Sequence, residues 1–339
     1  MLPEPLSSLF PQGLDCLGPY FSPSACEEAR DTRLSSCIPR KTKGWIAEYQ
    51  HVALSPEFYH HEPWLTLMAL YGMLGDHTDL DSQQRVSAVN QLMNVVYTGK
   101  GAKASAPRFS KLLGAQVEVC LRENLVFRDY LKRSTFKNGA YHPYADRRQT
   151  LAHKLSRESP SLEGNTMLDA LISGEDYAGR RMYIFIEAKF LSDISKDISY
   201  LPVRNQLARN IDCALDLMTE GGSNLDGLND FWFVLLTPGL FRIPSYGSPI
   251  STALDSFTPS KSRLFCYKMD EYRDPDLVKL DLPHWVGRLN DSHWDHVSKR
   301  TGWMTFEDVV EVVCSEHLLT EPGVTAYKEF FEARGITVG

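Results

Sequence analysis

NTMLDALISGEDYAGRRMYIFIEAKF, residues 165–190, decides the fold. Two short apolar runs, NTMLDALIS and RRMYIFIEAKF, flank GEDYAG, whose two glycines and two acids signal a turn. The stretch therefore reads as a β-hairpin with a slightly extended loop. Side chains alternate along a strand, so Glu187 and Lys189 share one face and Ala188 takes the other. Asp169 interrupts an apolar run (Met167, Leu168, Ala170, Leu171, Ile172) in the first strand. If the strands pair across the turn, Asp169 comes near Glu187. Two buried carboxylates on one sheet face repel each other and are costly to desolvate. A divalent cation relieves both costs, because Mg²⁺ takes one or two carboxylates, keeps several waters and accepts phosphate oxygens.

Outward from the hairpin, helical spacing appears on both sides. EPWLTLMALYGML, from Glu62, and DSQQRVSAVNQLMNVVYTG, with Asp81 as its cap, read as helices before it. FSKLLGAQVEVCLRENLVFRDYL (109–131) carries Leu113, Val117, Cys120 and Phe127 along one stripe and reads as a six-turn helix. After the hairpin, PVRNQLARNIDCALDLM is helical, with Pro202 in the first turn. FWFVLLTP reads as a buried strand ended by Pro238, and RLFCYKM as another strand. TFEDVVEVVCSEHL and the C-terminal residues read as helices, while Pro, Ser and Cys make residues 1–43 an irregular lead-in. The order helix, strand, strand, helix, strand predicts an α/β domain around a mixed sheet flanked by helices. The division is a mainly helical region at 1–98, a core at 99–270 and a helical extension at 271–339.

At 339 residues, with 43% hydrophobic and 23% charged residues, the chain reads as a globular protein with a full core. No apolar run approaches a bilayer span, no secretory signal opens the chain, and a membrane partner is not expected. Its seven cysteines are scattered and form no CxxC pair, which fits reduced thiols in a cytoplasm. The net charge is −7, yet residues 100–157 carry 13 Lys and Arg against four Asp and Glu. That local +9 offers a polyanion somewhere to lie, and a solvated, ion-paired helix face explains it equally well.

Zinc finds little support: His60 and His61 are adjacent, His293 and His296 are three apart, and no HExxH occurs. No GxxxxGK[ST] cradle and no GxSxG elbow is present either. Trp285, Trp294 and Trp303 fall nine apart, a spacing better explained by burial than by a repeat.

Asp169, then Glu187-Ala-Lys189, then a helix bearing Gln206, resembles the PD-(D/E)XK phosphodiesterase superfamily, the restriction-endonuclease-like fold. The similarity spans about residues 110–240, with Leu168–Asp169 standing where Pro–Asp is usual. The resemblance implies a DNA endonuclease of restriction, defence or repair type, dependent on Mg²⁺ or Mn²⁺. Asp169, Glu187, Lys189 and Gln206 would be its catalytic residues, with Asp169, Glu187 and the Ala188 carbonyl on the metal. That fold also usually places an acid on the helix before the hairpin. Glu118 and Glu123 are the candidates, and Glu118 is preferred because it follows Gly114 by four. Arg209, Lys132 and Arg133 would meet phosphates, although Arg209 and Asn210 also read as plain surface groups. A homo-oligomer or a protein complex is compatible with these features. The alternatives are a non-cleaving nucleic-acid-binding or assembly module on the same fold, or a hydrolase of RNA.

Overall fold

The computed structural model describes residues 6–11, 13–21, 38–39, 62–98, 106–121, 124, 126–127, 129–130, 166–194, 205–242 and 263–337. Their centre is a six-stranded mixed sheet in the order β1-β2-β3-β4-β5-β6. A two-residue edge strand, β1 (Ile38–Pro39), precedes β2 (Lys111–Leu121), β3 (Thr166–Glu175), β4 (Arg181–Ala188), β5 (Phe231–Thr237) and β6 (Thr301–Thr305). The first four strands run antiparallel in sequence, whereas β4–β5 and β5–β6 are parallel. The hairpin expected at 165–190 is β3–β4, with Asp176 accepting the amides of Ala178 and Arg180 in its turn.

Helices cover both faces. On one side lie α1 (Leu6–Leu9), a 3-10 segment (Leu14–Phe21), α2 (Glu62–Leu74) and α3 (Gln83–Thr98). They share a core with α8 (Phe306–Ser315), α9 (Glu321–Glu332) and Ile184, Ile186, Val234 and Leu236 of the sheet. On the other side, α4 (Gln206–Met218), α5 (Leu264–Glu271), α6 (Pro275–Asp281) and α7 (Asp291–Lys299) pack on Tyr183, Phe185, Phe233 and Leu235. Both faces of the central strands are thus buried, which is why IFI and FWFVLL are continuously apolar. Gly302 lets α3 come close, since a Cβ there would lie 2.4 Å from Val96.

Five expectations need correction. Residues 111–121 form β2, not part of a helix, because the strand is buried on both sides and its facing changes along its length. Ala115 and Val117 enter the α2/α3 core, whereas Val119 and Leu121 enter the α4 core. Positions two apart should share a face, and the switch falls at Glu118, whose φ is +54°. Broken alternation of this kind imitates helical spacing. Second, residues 264–271 are a helix, with Phe265 and Met269 buried four apart and the first amides held by the distant Asp193. Third, the Ser82 hydroxyl, not Asp81, caps α3 by accepting from Arg85 N. Fourth, part of the lead-in is ordered against the core, with Phe10, Leu17 and Tyr20 buried. Fifth, residues 271–339 are not a separate helical extension, since they contribute β6 to the sheet; Trp285 and Trp294 there are fully buried and Trp303 is half-buried.

Candidate active site

Ala170 stands opposite Ile186 in the β3–β4 ladder, which sets Asp169 beside Glu187 at the end remote from the turn. Asp169 Oδ2 accepts the Ala188 amide at 2.6 Å, and the two carboxyl groups lie within hydrogen-bonding reach of each other. Glu187 is 1% exposed. On its other flank β4 runs parallel to β5, with Glu187 opposite Leu235, and the Lys189 amide extends that ladder to Leu236 O. The site therefore occupies the carboxyl edge of the parallel strands.

Helix α4 delivers two amides to Glu187. Gln206 Nε2 donates to Oε1 and Asn210 Nδ2 to Oε2, each at 2.5 Å. One helical turn separates them, so they share a face. The helix begins where it does because Asn205 caps it, accepting from Ala208 N at 3.0 Å. Asn205 is itself held, donating to Asp281 Oδ2 at 2.9 Å and to the Tyr272 hydroxyl at 3.3 Å. Leu207, Ile211, Ala214 and Leu215 press the helix into the core. Register, cap and apolar stripe together bring the amides to the acid.

Lys189 Nζ lies 2.9 Å from Glu187 Oε1 and 3.5 Å from Glu62 Oε2. Glu62, the first residue of α2, also accepts the Phe190 amide at 3.3 Å and the Ser192 hydroxyl at 2.6 Å. It thereby fastens the segment that follows β4. Burial, and then the charge of Asp169, raises the Glu187 carboxyl well above the ordinary range. Burial likewise raises Asp169, against the pull of Lys189 and the Ala188 amide. Burial opposes the charge on Lys189, but Glu187, Asp169 and Glu62 together outweigh it and raise the ammonium above its usual value. Lys189 is thus a persistent cation in this setting.

Asp169, Glu187, Lys189 and Gln206 are brought together as the sequence predicts. Ala188 takes part through its amide, which orients Asp169. Glu118 sits on a strand and not a helix; its neighbours Val117 and Val119 pair with Ala170 and Leu168, so it stands opposite Asp169. Its left-handed backbone costs about 1 kcal/mol for a residue with a Cβ. Arg209 lies on α4 between Leu207 and Ile211, partly buried. Glu123, Lys132, Arg133, His60 and His61, with most of the basic 100–157 segment, lie outside the described residues. His296 bonds Leu228 O and His293 closes the cap of α7, so this pair is structural.

Two contributors were missed. Asn210, which reads in the sequence as a plain surface group, is 1% exposed; the signal for it is the four-residue spacing from Gln206. Glu62 looks locally like a helix-start acid favoured by the dipole, and its partners are 127 to 130 positions away.

Among the described residues, no three His, Cys, Asp or Glu side chains gather closely enough to hold an ion by themselves. The donor set does fit a cation that takes two carboxylates and fills its shell with backbone carbonyl and solvent, as Mg²⁺ does. Two acids pair with one ammonium here, and Asp169 lies within hydrogen-bonding reach of Glu187. Comparison with protein-family models, curated proteins and solved structures finds no match for this chain.

Proposed function

We propose that the chain is a metal-dependent phosphodiesterase of the PD-(D/E)XK type, cutting DNA internally. The observation that carries this reading is the meeting of Asp169, Glu187 and Lys189 at the carboxyl edge of β4, with Gln206 bonded to Glu187. Asp169 and Glu187 would hold Mg²⁺ or Mn²⁺, which when bound supplies Lewis acidity to the phosphate and acidifies a water. The chain's own residues orient the rest. The Ala188 amide fixes Asp169, while Gln206 and Asn210 fix Glu187. Lys189, kept charged by its acidic neighbours, acts as a donor to the attacking water or to a phosphate oxygen and not as a base. Glu62 limits where that ammonium can reach. The charge of +9 over residues 100–157 supports a long polyanion as substrate.

The test is incubation of supercoiled plasmid and linear duplex with the purified chain, in Mg²⁺ or in EDTA. Cleavage in Mg²⁺, and its loss in EDTA and in Lys189→Ala, is the expected result. DNA left whole in both Mg²⁺ and Mn²⁺, or cut equally by wild type and Lys189→Ala, overturns it. One observation favours a second reading, a non-cleaving nucleic-acid-binding module. The pairing of Lys189 with both Glu187 and Glu62 makes a self-contained ionic knot. Salt-dependent DNA binding without metal-dependent cutting would support that module.

A further inference from the structure

We infer, resting on the reading above, that Asn210 sets which divalent cation the site accepts by holding Glu187 to a single coordinating oxygen. A carboxylate offers about four acceptor positions, two on each oxygen. At Oε1 both are taken, by Gln206 at 2.5 Å and Lys189 at 2.9 Å. At Oε2 Asn210 takes one, again at 2.5 Å, so at most one is left. Held in this way, Glu187 would offer an ion at most one bond, through Oε2. To chelate with both oxygens it must turn, and the two amides, fixed one helical turn apart on α4, resist that rotation.

Asn210 is the stronger restraint. It is 1% exposed, so its amide has no water to exchange for the carboxylate. Gln206 is only partly buried. The consequence is selectivity. Mg²⁺ and Mn²⁺ are satisfied by octahedral shells with one oxygen from each carboxylate. Ca²⁺ is larger, gathers six to eight oxygens, and often takes a carboxylate through both. A Glu187 clamped to one oxygen favours the smaller ions. Asn210 is accordingly a positioning residue that acts through Glu187.

The experiment is calorimetric titration of the full chain with Mn²⁺ and, separately, with Ca²⁺. Wild type is compared with Asn210→Ala and with Gln206→Ala, whose partly exposed position tolerates the change. Circular dichroism checks that each variant is folded. Wild type should bind Mn²⁺ the tighter, and Asn210→Ala should lower the Mn²⁺-to-Ca²⁺ affinity ratio by about tenfold, with Gln206→Ala moving it the same way. A merely structural role would weaken both ions alike and leave the ratio unmoved. An unchanged ratio in the folded variants, with Mn²⁺ still bound by wild type, overturns the inference. Should Asn210→Ala fail to fold, the ratio in Gln206→Ala decides. If wild type binds neither ion, the failure belongs to the reading of the site as a metal centre, and the inference falls with it.

Discussion

Glu62 Oε1 accepts the Ser192 hydroxyl at 2.6 Å, joining the start of α2 to the segment that leaves β4. Its other oxygen takes the Phe190 amide and faces Lys189. The acid is thus a polar tie between the N-terminal helices and the candidate site. Removing it strands a backbone amide and takes from a largely buried ammonium one of its two carboxylate partners. Glu62→Ala should lower stability by about 2–3 kcal/mol. Ser192→Ala, which loses one exposed bond, should cost less than about 1 kcal/mol. Urea unfolding of the two variants checks the order, and equal midpoints would remove Glu62 from this role.

Asp169 and Glu187 lie together in a buried setting, where Asp169 raises the cost of charging Glu187 and Lys189 offsets it in part. Asparagine at 169 keeps an oxygen for the Ala188 amide and gains a donor for Glu187. In EDTA, Asp169→Asn should therefore be more stable than wild type, by about 1–2 kcal/mol. Wild type should gain Tm on addition of Mn²⁺ through ligand linkage, and the variant should not. Thermal melts with and without Mn²⁺ read both effects. A variant that melts lower in EDTA and still responds to Mn²⁺ as wild type does contradicts the like-charge account.

What could be read from the sequence follows from how local its cause is. The β3–β4 hairpin was legible because turn chemistry and apolar runs lie within 26 residues. Asp169, Glu187 and Lys189 follow from alternation on those strands, and Gln206 from its place on the next amphipathic helix. The strand β2 was not legible, because burial on both faces and the left-handed Glu118 erase alternation. Nor was α5, whose first amides are capped by Asp193, some 70 residues earlier. Glu62 and Asn210 were missed for a related reason: what fixes their roles is a partner supplied by packing.

Stability should fall in mild acid through His296. Burial, reinforced by Arg300, lowers its pKa from 6.5 to about 4, while Nε2 bonds Leu228 O. Between those values the unfolded chain binds a proton that the folded chain refuses. The contribution is complete above pH 6.5 and is lost progressively as pH falls towards 4, by on the order of 2–3 kcal/mol. The raised carboxyls of Asp169 and Glu187 act with the opposite sign, so the difference between wild type and His296→Asn is the clean measure. Unfolding free energies at pH 7 and pH 5 should converge for the pair as pH drops. Parallel curves would mean that His296 titrates normally.

On α4, two residues beyond Asn210, Asp212 is fully buried and its Oδ1 accepts His284 Nε2 at 2.7 Å and Trp285 Nε1 at 2.5 Å. This carboxylate joins α4 to the turn after α6, and Phe127 packs edge-on against the His284 ring at 5.0 Å. Asp212→Ala leaves two buried donors without their acceptor and should cost about 3–5 kcal/mol. His284→Leu removes one donor, keeps the Trp285 bond, and should cost less. Because the pair shares one bond, the double variant should fall short of the sum, with a coupling of about 1–3 kcal/mol. A urea-unfolding cycle over the four proteins measures it. Additive losses would mean that the two residues stabilise the fold independently, and that the contact does not anchor the helix that presents Gln206 and Asn210.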